Sequence, residues 1–338
     1  MAMTIAEKIL ASHSGASKVS AGEYVTAKID QVCIKYSILD IPKQMEEAGI
    51  LGGLTSVWDK EKVMVILDYW APAVDRNVKV AQNHVDTRQL VKKLGLPHFY
   101  DVRSGICHQV MMNKGFVYPG ALIVATDSHT PTYGSLNCAG TGIGEAEMAW
   151  VLTFGELWFR VPETVKVMVN GQLAPNVMGK DIFLHISGRY GMDFAQYKSI
   201  EWTGTAVDAM SLDSRTCIAN QSVEIGAKFS LFEADQKVFD YLKKRTCHAL
   251  LPVTPDPDAI YEKEIFVEGE KIVPMVAEPH SMGVTNPATY YNNIKINQAN
   301  IGGCAAGRLE DIKIAAKILK GKKIHKEVRC ILGAADWE

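Results

Sequence analysis

The stretch that most limits how this chain can fold is Leu122-Ile123-Val124-Ala125, an unbroken apolar run followed at once by Thr126-Asp127-Ser128-His129-Thr130. Four apolar residues without alternation fit a strand covered on both faces, which is the habit of parallel sheets. Val63 to Leu67 repeats the pattern and ends in Asp68-Tyr69. Between such strands lie segments with helical apolar spacing: Ile41 to Glu47, Thr87 to Leu94 and Glu145 to Phe154. Strands alternating with helices predict an α/β chain built on mostly parallel sheets. In such sheets ligands bind beyond the carboxyl ends of the strands, so an acid, a hydroxyl and an imidazole directly after the run are well placed for chemistry. The plainer reading is a capped turn, since Asp, Ser and Thr all favour turns.

Further elements follow from local signals. Thr4 with Glu7 forms a capping box opening a helix to Ala11, and Tyr24 to Ile29 reads as a strand. Thr164 to Asn170 alternates Val with polar residues, the pattern of a half-exposed strand. Asp181 to Gly191 reads as a helix. Asp213 to Ile225 reads as another, which would put Asn220 and Glu224 on one face. The charged stretch from Asp256 to Glu264 reads as an exposed connection. Near the end, Cys304 precedes a helix with Leu309, Ile312, Ala316 and Leu319 as its apolar stripe, and Val328 to Leu332 is the next strand. The boundaries expected are 1–163, 164–290 and a partial third unit, 291–338, whose sheet is left unfinished.

Composition removes several classes of function. The net charge is −2, with 36 basic and 38 acidic residues, so no bulk field draws the chain to nucleic acid or an anionic membrane. No apolar run reaches the roughly 20 residues that cross a bilayer, and Met1 to Ser14 lacks the parts of a signal peptide. The seven cysteines are scattered without a CxxC pair, which fits a reducing cytoplasm. Gly140, Gly142 and Gly144 suggest a phosphate loop, but GxGxG is not the dinucleotide fingerprint, and no acid stands about 20 residues on at a strand end. Nicotinamide cofactors are therefore rejected, although a glycine-rich turn before a helix could still hold a carboxylate.

Taken in order, the motifs resemble the aconitase superfamily, and within it the large subunits of 3-isopropylmalate dehydratase and its homoaconitase and dimethylmalate dehydratase relatives. The likeness runs through Thr4 to Leu10, Gly105-Ile106-Cys107-His108-Gln109-Val110 and Thr126 to Thr130. It continues through Gly155-Glu156-Leu157-Trp158, Val161 to Thr164 and Asn220 with Glu224-Ile225-Gly226-Ala227. It ends at Cys304 with Gly307-Arg308-Leu309-Glu310-Asp311. The resemblance implies a multi-lobe, three-layer aconitase-like α/β fold with the last lobe incomplete. It implies hydro-lyase chemistry on a small carboxylate-bearing substrate, and either a small swivelling-domain subunit as partner or a homo-oligomer. It also implies roles. Asp127 would orient His108 and Glu224 would orient His129, with Asp68, Tyr69 and Cys107 as further catalytic candidates. Ser128, Thr130, Asn220 and Arg308 would bind substrate, and Cys304 would ligate a four-iron, four-sulfur cluster if one is held.

Four positions depart from the family pattern. Asp68-Tyr69 replaces an Asp-His pair whose histidine gives a proton to the departing hydroxyl, and a phenol of ordinary pKa near 10 is a poorer donor than an imidazolium near 6.5. Tyr36-Ser37 replaces His-Asp, Cys304-Ala305-Ala306 replaces Cys-Thr-Asn, and the downstream CxxC that completes the cluster ligands is not in these 338 residues. Such a cluster needs several thiolates. The departures favour a relative working by histidine and carboxylate chemistry with no cofactor, in which Cys107 or Cys304 could serve as a nucleophile. A shortened dehydratase subunit carrying the 4Fe-4S cluster and a non-catalytic, partner-binding subunit are the alternatives.

Overall fold

The computed structural model describes residues 2–337 apart from 48, 50–52 and 72–76, and the side chains of Tyr36 and Ser37 also lie outside the described set. Its centre is a five-stranded sheet, all parallel, in the order His98–Tyr100, Val63–Ile66, Gln31–Ile34, Leu122–Ala125, Ala139–Gly142. Successive side chains of a strand point to opposite faces, and each face here has its own core. Val32, Ile34, Val63, Val65, Leu122 and Val124 pack into one cluster with the N-terminal helix Ile5–Ser14. Cys33, Met64, Ile66, Ile123 and Ala125 pack into another with the helix Cys107–Asn113. That two-sided burial is why the runs do not alternate.

A second parallel sheet has the order Phe229–Phe232, Ser199–Thr203, Thr164–Asn170, Lys263–Glu268. Thr164–Asn170 lies between two partners and keeps the half-exposed alternation expected of it: Val165, Val167 and Val169 are in the second core, while Lys166 and Met168 are partly open and Asn170 is exposed. Lys263 and Glu264 begin the outer strand of this sheet, which corrects the reading of that stretch as connection only. Glu201 ties the second sheet to the N-terminal helix: its carboxylate accepts the Ile5 amide at 2.6 Å and the Tyr261 hydroxyl at 2.8 Å. A third, two-stranded parallel sheet pairs Gln298–Gly302 with Arg329–Gly333.

Two other expectations change. The helix Leu212–Gln221 ends before Glu224, which sits in the 3-10 turn Ser222–Ile225, so Asn220 and Glu224 do not share a helix face. On the helix Leu309–Leu319, Ala315 is the buried residue, and Leu309 is 59% exposed. The stripe through Leu309 and Ala316 therefore does not face a core among the described residues.

Candidate active site

Because Gln31–Ile34, Val63–Ile66 and Leu122–Ala125 are parallel neighbours, the residues after them come out on one edge of the sheet. Lys35, Asp68 with Tyr69, and Asp127 meet there. Asp127 is the hub. Its Oδ1 accepts His108 Nε2 at 2.8 Å and the backbone N–H of His129 at 2.8 Å, while its Oδ2 accepts a hydrogen bond from Lys35 Nζ. Burial opposes ionisation of this carboxyl, but His108 and Lys35 outweigh it and hold its pKa far below the usual carboxylate range. Lys35 is correspondingly held charged; burial opposes this, and Asp127 overcomes it. Its ammonium also stands 4.8 Å from the centroid of the Tyr69 ring.

His108 lies on the helix Cys107–Asn113 and is only 2% exposed. Its second nitrogen, Nδ1, is 3.3 Å from the Tyr133 hydroxyl. Burial works against charging the ring, but the Asp127 carboxylate bonded to its Nε2 overcomes this and its pKa is raised to about 10. The helix itself begins on Asp68, whose Oδ2 accepts the Cys107 amide at 2.7 Å. A carboxylate at a helix start satisfies an otherwise orphaned donor, so Asp68 is engaged as a cap.

His129 is differently situated. Its side chain is 24% exposed, its Nε2 is 3.1 Å from Glu224 Oε1, and its Nδ1 is 3.2 Å from Ser128 Oγ. Ser128 is exposed beside it, whereas Thr130 is fully buried with its hydroxyl given to the Asp127 carbonyl. Asn220 is also buried; its amide donates to Thr132 Oγ1 at 2.8 Å, and its Oδ1 accepts from Cys304 Sγ at 3.6 Å. Arg308 turns inward, donating to the carbonyls of Ala305 and Cys304 at 3.0 Å each. The structure therefore brings His108, Asp127, His129, Glu224, Tyr69 and Ser128 to one region, and it gives Asp68, Thr130 and Arg308 backbone partners. Tyr133 and Lys35 were absent from the residues singled out in the sequence. Lys35 carries no local sequence signal; it reaches Asp127 because the strand Gln31–Ile34 pairs with Leu122–Ala125.

The thiols are not activated. Contact with Cys33, together with burial, raises the Cys107 pKa well above its ordinary value, and burial also raises that of Cys304. Nucleophilic cysteine needs thiolate, so neither fits that role. Cys107, His108 and Asp127 offer ligand atoms within 4.8 Å of one another, but the Lys35 ammonium on the same carboxylate fits a hydrogen-bonded network better than a cation site. Among the described residues Cys304 belongs to no group of three cysteine, histidine or carboxylate ligands. Its neighbours are Ala305 and Ala306, and its sulfur is bonded to an amide oxygen. These residues alone do not fit an iron–sulfur cluster; the remaining thiolates would have to come from outside them.

Comparison with known proteins adds a family. The model of the aconitase family (aconitate hydratase) matches residues 56–289. The 3-isopropylmalate dehydratase large subunit 1 of Methanopyrus kandleri is 42% identical over 100% of this chain and 79% of its own length. The 3-isopropylmalate dehydratase large subunit of Heliobacterium modesticaldum is 41% identical over 98% of this chain and 78% of its own. A probable large subunit of the same enzyme from Methanothermobacter thermautotrophicus is 41% identical over 100% of this chain and 80% of its own.

Proposed function

The chain belongs to the aconitase family, and from that premise we propose that it is the large, catalytic subunit of a hydro-lyase acting on a malate-type hydroxy diacid. The similar proteins are named as large subunits of an enzyme acting on isopropylmalate, which supports both the substrate class and a small-subunit partner. The observation that carries the reading is the half-buried His129–Glu224 pair at 3.1 Å, beside an acid clamped between two cations. In dehydration a carbon-bound proton passes to a base, the C–O bond breaks, and a proton joins the departing hydroxyl as water. His129, oriented by Glu224, exchanges the carbon-bound proton. Tyr69, exposed on the same edge over Lys35, supplies the proton for the hydroxyl. His108, Asp127 and Lys35 are positioning residues, fixing the loop and its field. Of the lobes 1–163, 164–290 and 291–338, the first supplies His129, Tyr69, His108, Asp127 and Lys35 to this site and the second supplies Glu224.

The test is an anaerobic assay with 3-isopropylmalate, following alkene formation with and without a family small subunit, and with and without added iron and sulfide. Turnover that falls by about 10²–10⁴-fold in His129→Ala, the usual range for removing an acid–base group, supports the reading. Absence of turnover in every arm overturns it. A second reading, that the chemistry proceeds without a cluster, rests on the residues themselves: Ala305 and Ala306 beside Cys304, and Tyr69 after Asp68. Turnover in protein whose iron and acid-labile sulfide are at background supports that reading, and stoichiometric iron and sulfide overturns it.

A further inference from the structure

Behind the catalytic loop lies a second cavity, about 400 Å³ in volume, within the size range of small-molecule sites. It shares Asp127 and Ser128 with the acid–base site, but its lining includes none of His108, His129, Glu224 or Cys304. The glycine loop noted in the sequence forms one wall. Gly142 must be glycine, because a Cβ there would come within 2.5 Å of the Asp127 carbonyl oxygen. Opposite, Tyr197 holds a left-handed backbone (φ 57°) and Gly226 another (φ 85°). A tyrosine in that region is uncommon, and backbone strain concentrates where structure serves a site.

Lys228 also lines this cavity. It is partly buried, and its ammonium sits 5.4 Å and 5.7 Å from the ring centroids of Tyr197 and Phe159. No carboxylate lies within ion-pair distance of it among the described residues. The acids facing the cavity are committed elsewhere: Glu147 accepts the Gly144 amide at 3.0 Å, and Asp127 holds His108 and Lys35. Burial lowers the Lys228 pKa, and Glu147 only partly offsets this. Buried charges in proteins are ordinarily paired, so a cation left facing this cavity lacks a partner that a ligand can supply.

We propose that this cavity binds a small dicarboxylate, separately from the acid–base site, with Lys228 as counter-charge and the Thr141 hydroxyl and Gln196 carboxamide as neutral hydrogen-bonding groups. The bound carboxylate restores the ammonium that burial disfavours, so binding is read as protonation of Lys228. Because Gly142 packs on the Asp127 carbonyl, an occupied cavity stiffens the loop that carries His129. The proposal does not depend on turnover.

The test is competitive acylation of lysines at neutral pH, with the Lys228 peptide quantified by mass spectrometry. Succinate is the probe, and inorganic phosphate and chloride at equal ionic strength are controls. Succinate is expected to slow labelling of Lys228 by about tenfold, the effect of roughly one pKa unit on the free amine, while the other lysines are unchanged. The same protection in His129→Ala separates this cavity from the acid–base site. Calorimetry on Lys228→Met should show that succinate binding there is lost. Unaltered labelling of Lys228, protection by phosphate equal to that by succinate, or protection that vanishes in His129→Ala each overturns the proposal.

Discussion

The two imidazole–carboxylate pairs look alike in sequence and differ in kind. His108–Asp127 is sealed, with the ring 2% exposed and the carboxylate also bonded to Lys35. His129–Glu224 is half open, with side chains 24% and 34% exposed. A buried pair with both charges satisfied is rigid and cannot readily trade protons with a substrate. A half-open pair keeps one face for chemistry. The comparison teaches that burial, more than residue type, separates the two pairs, and it is the ground on which the proposed function gives the reacting role to His129–Glu224.

The sharpest way to break this contrast is Asp127→Ala. It leaves the ammonium of Lys35 and the imidazolium of His108 without their shared partner, and removing one side of a buried ion pair costs about 3–5 kcal/mol. Urea denaturation should show a loss of that size. Glu224→Ala, at the half-open pair, should cost less than about 1 kcal/mol by the same measurement.

Next in size is the catalytic effect of Glu224→Gln. It keeps the hydrogen bond to His129 but removes the charge, so turnover should fall by about tenfold, with a shifted pH profile and little change in KM; partner residues that orient a working imidazole have effects of about 10–100-fold. An equal loss of stability and activity would blur the contrast.

The sealed pair should also respond to pH. The His108 pKa is raised to about 10, so its contribution to stability is complete below the unfolded value near 6.5 and is lost as pH rises through 10. Asp127 is shifted the other way, so its contribution is present above the unfolded value near 3.9 and disappears only in strong acid. Stability should therefore decline from about pH 6.5 to 10, by no more than about 1.4 kcal/mol per pH unit for one proton, and His108→Gln should flatten that decline. The smallest effect is far from both pairs. Thr4→Ala removes the cap that accepts the Glu7 amide and should lower stability by about 1 kcal/mol without touching turnover.

Much of this was legible in the residues. The run Leu122–Ala125 is the strand it spells, the helix Glu145–Phe154 has the ends its spacing gives, and the Thr4–Glu7 capping box forms. These are signals of local backbone and side-chain period. The pairing of Asp127 with His108 and of Glu224 with His129 followed from the family likeness, and the distances agree with it. Lys35 escaped notice because nothing local marks a lysine after a strand; only the neighbouring parallel strand brings it to Asp127. Glu224 was placed on the Asn220 face because a helix was extended through Ser222, where the chain tightens into a 3-10 turn.

By itself, then, the order of residues determined the elements, the parallel habit of the sheets and the identity of the acids and imidazoles, since each rests on periodicity, capping or motif. Only the tertiary structure decided which pair is sealed and which is open, that Asp68 caps a helix, that Arg308 turns to backbone, and that Lys228 faces a cavity. Exposure and pairing are set by what other strands and helices bring alongside, and residues separated by 19 or 95 positions, as in the two pairs, meet only when the chain is packed.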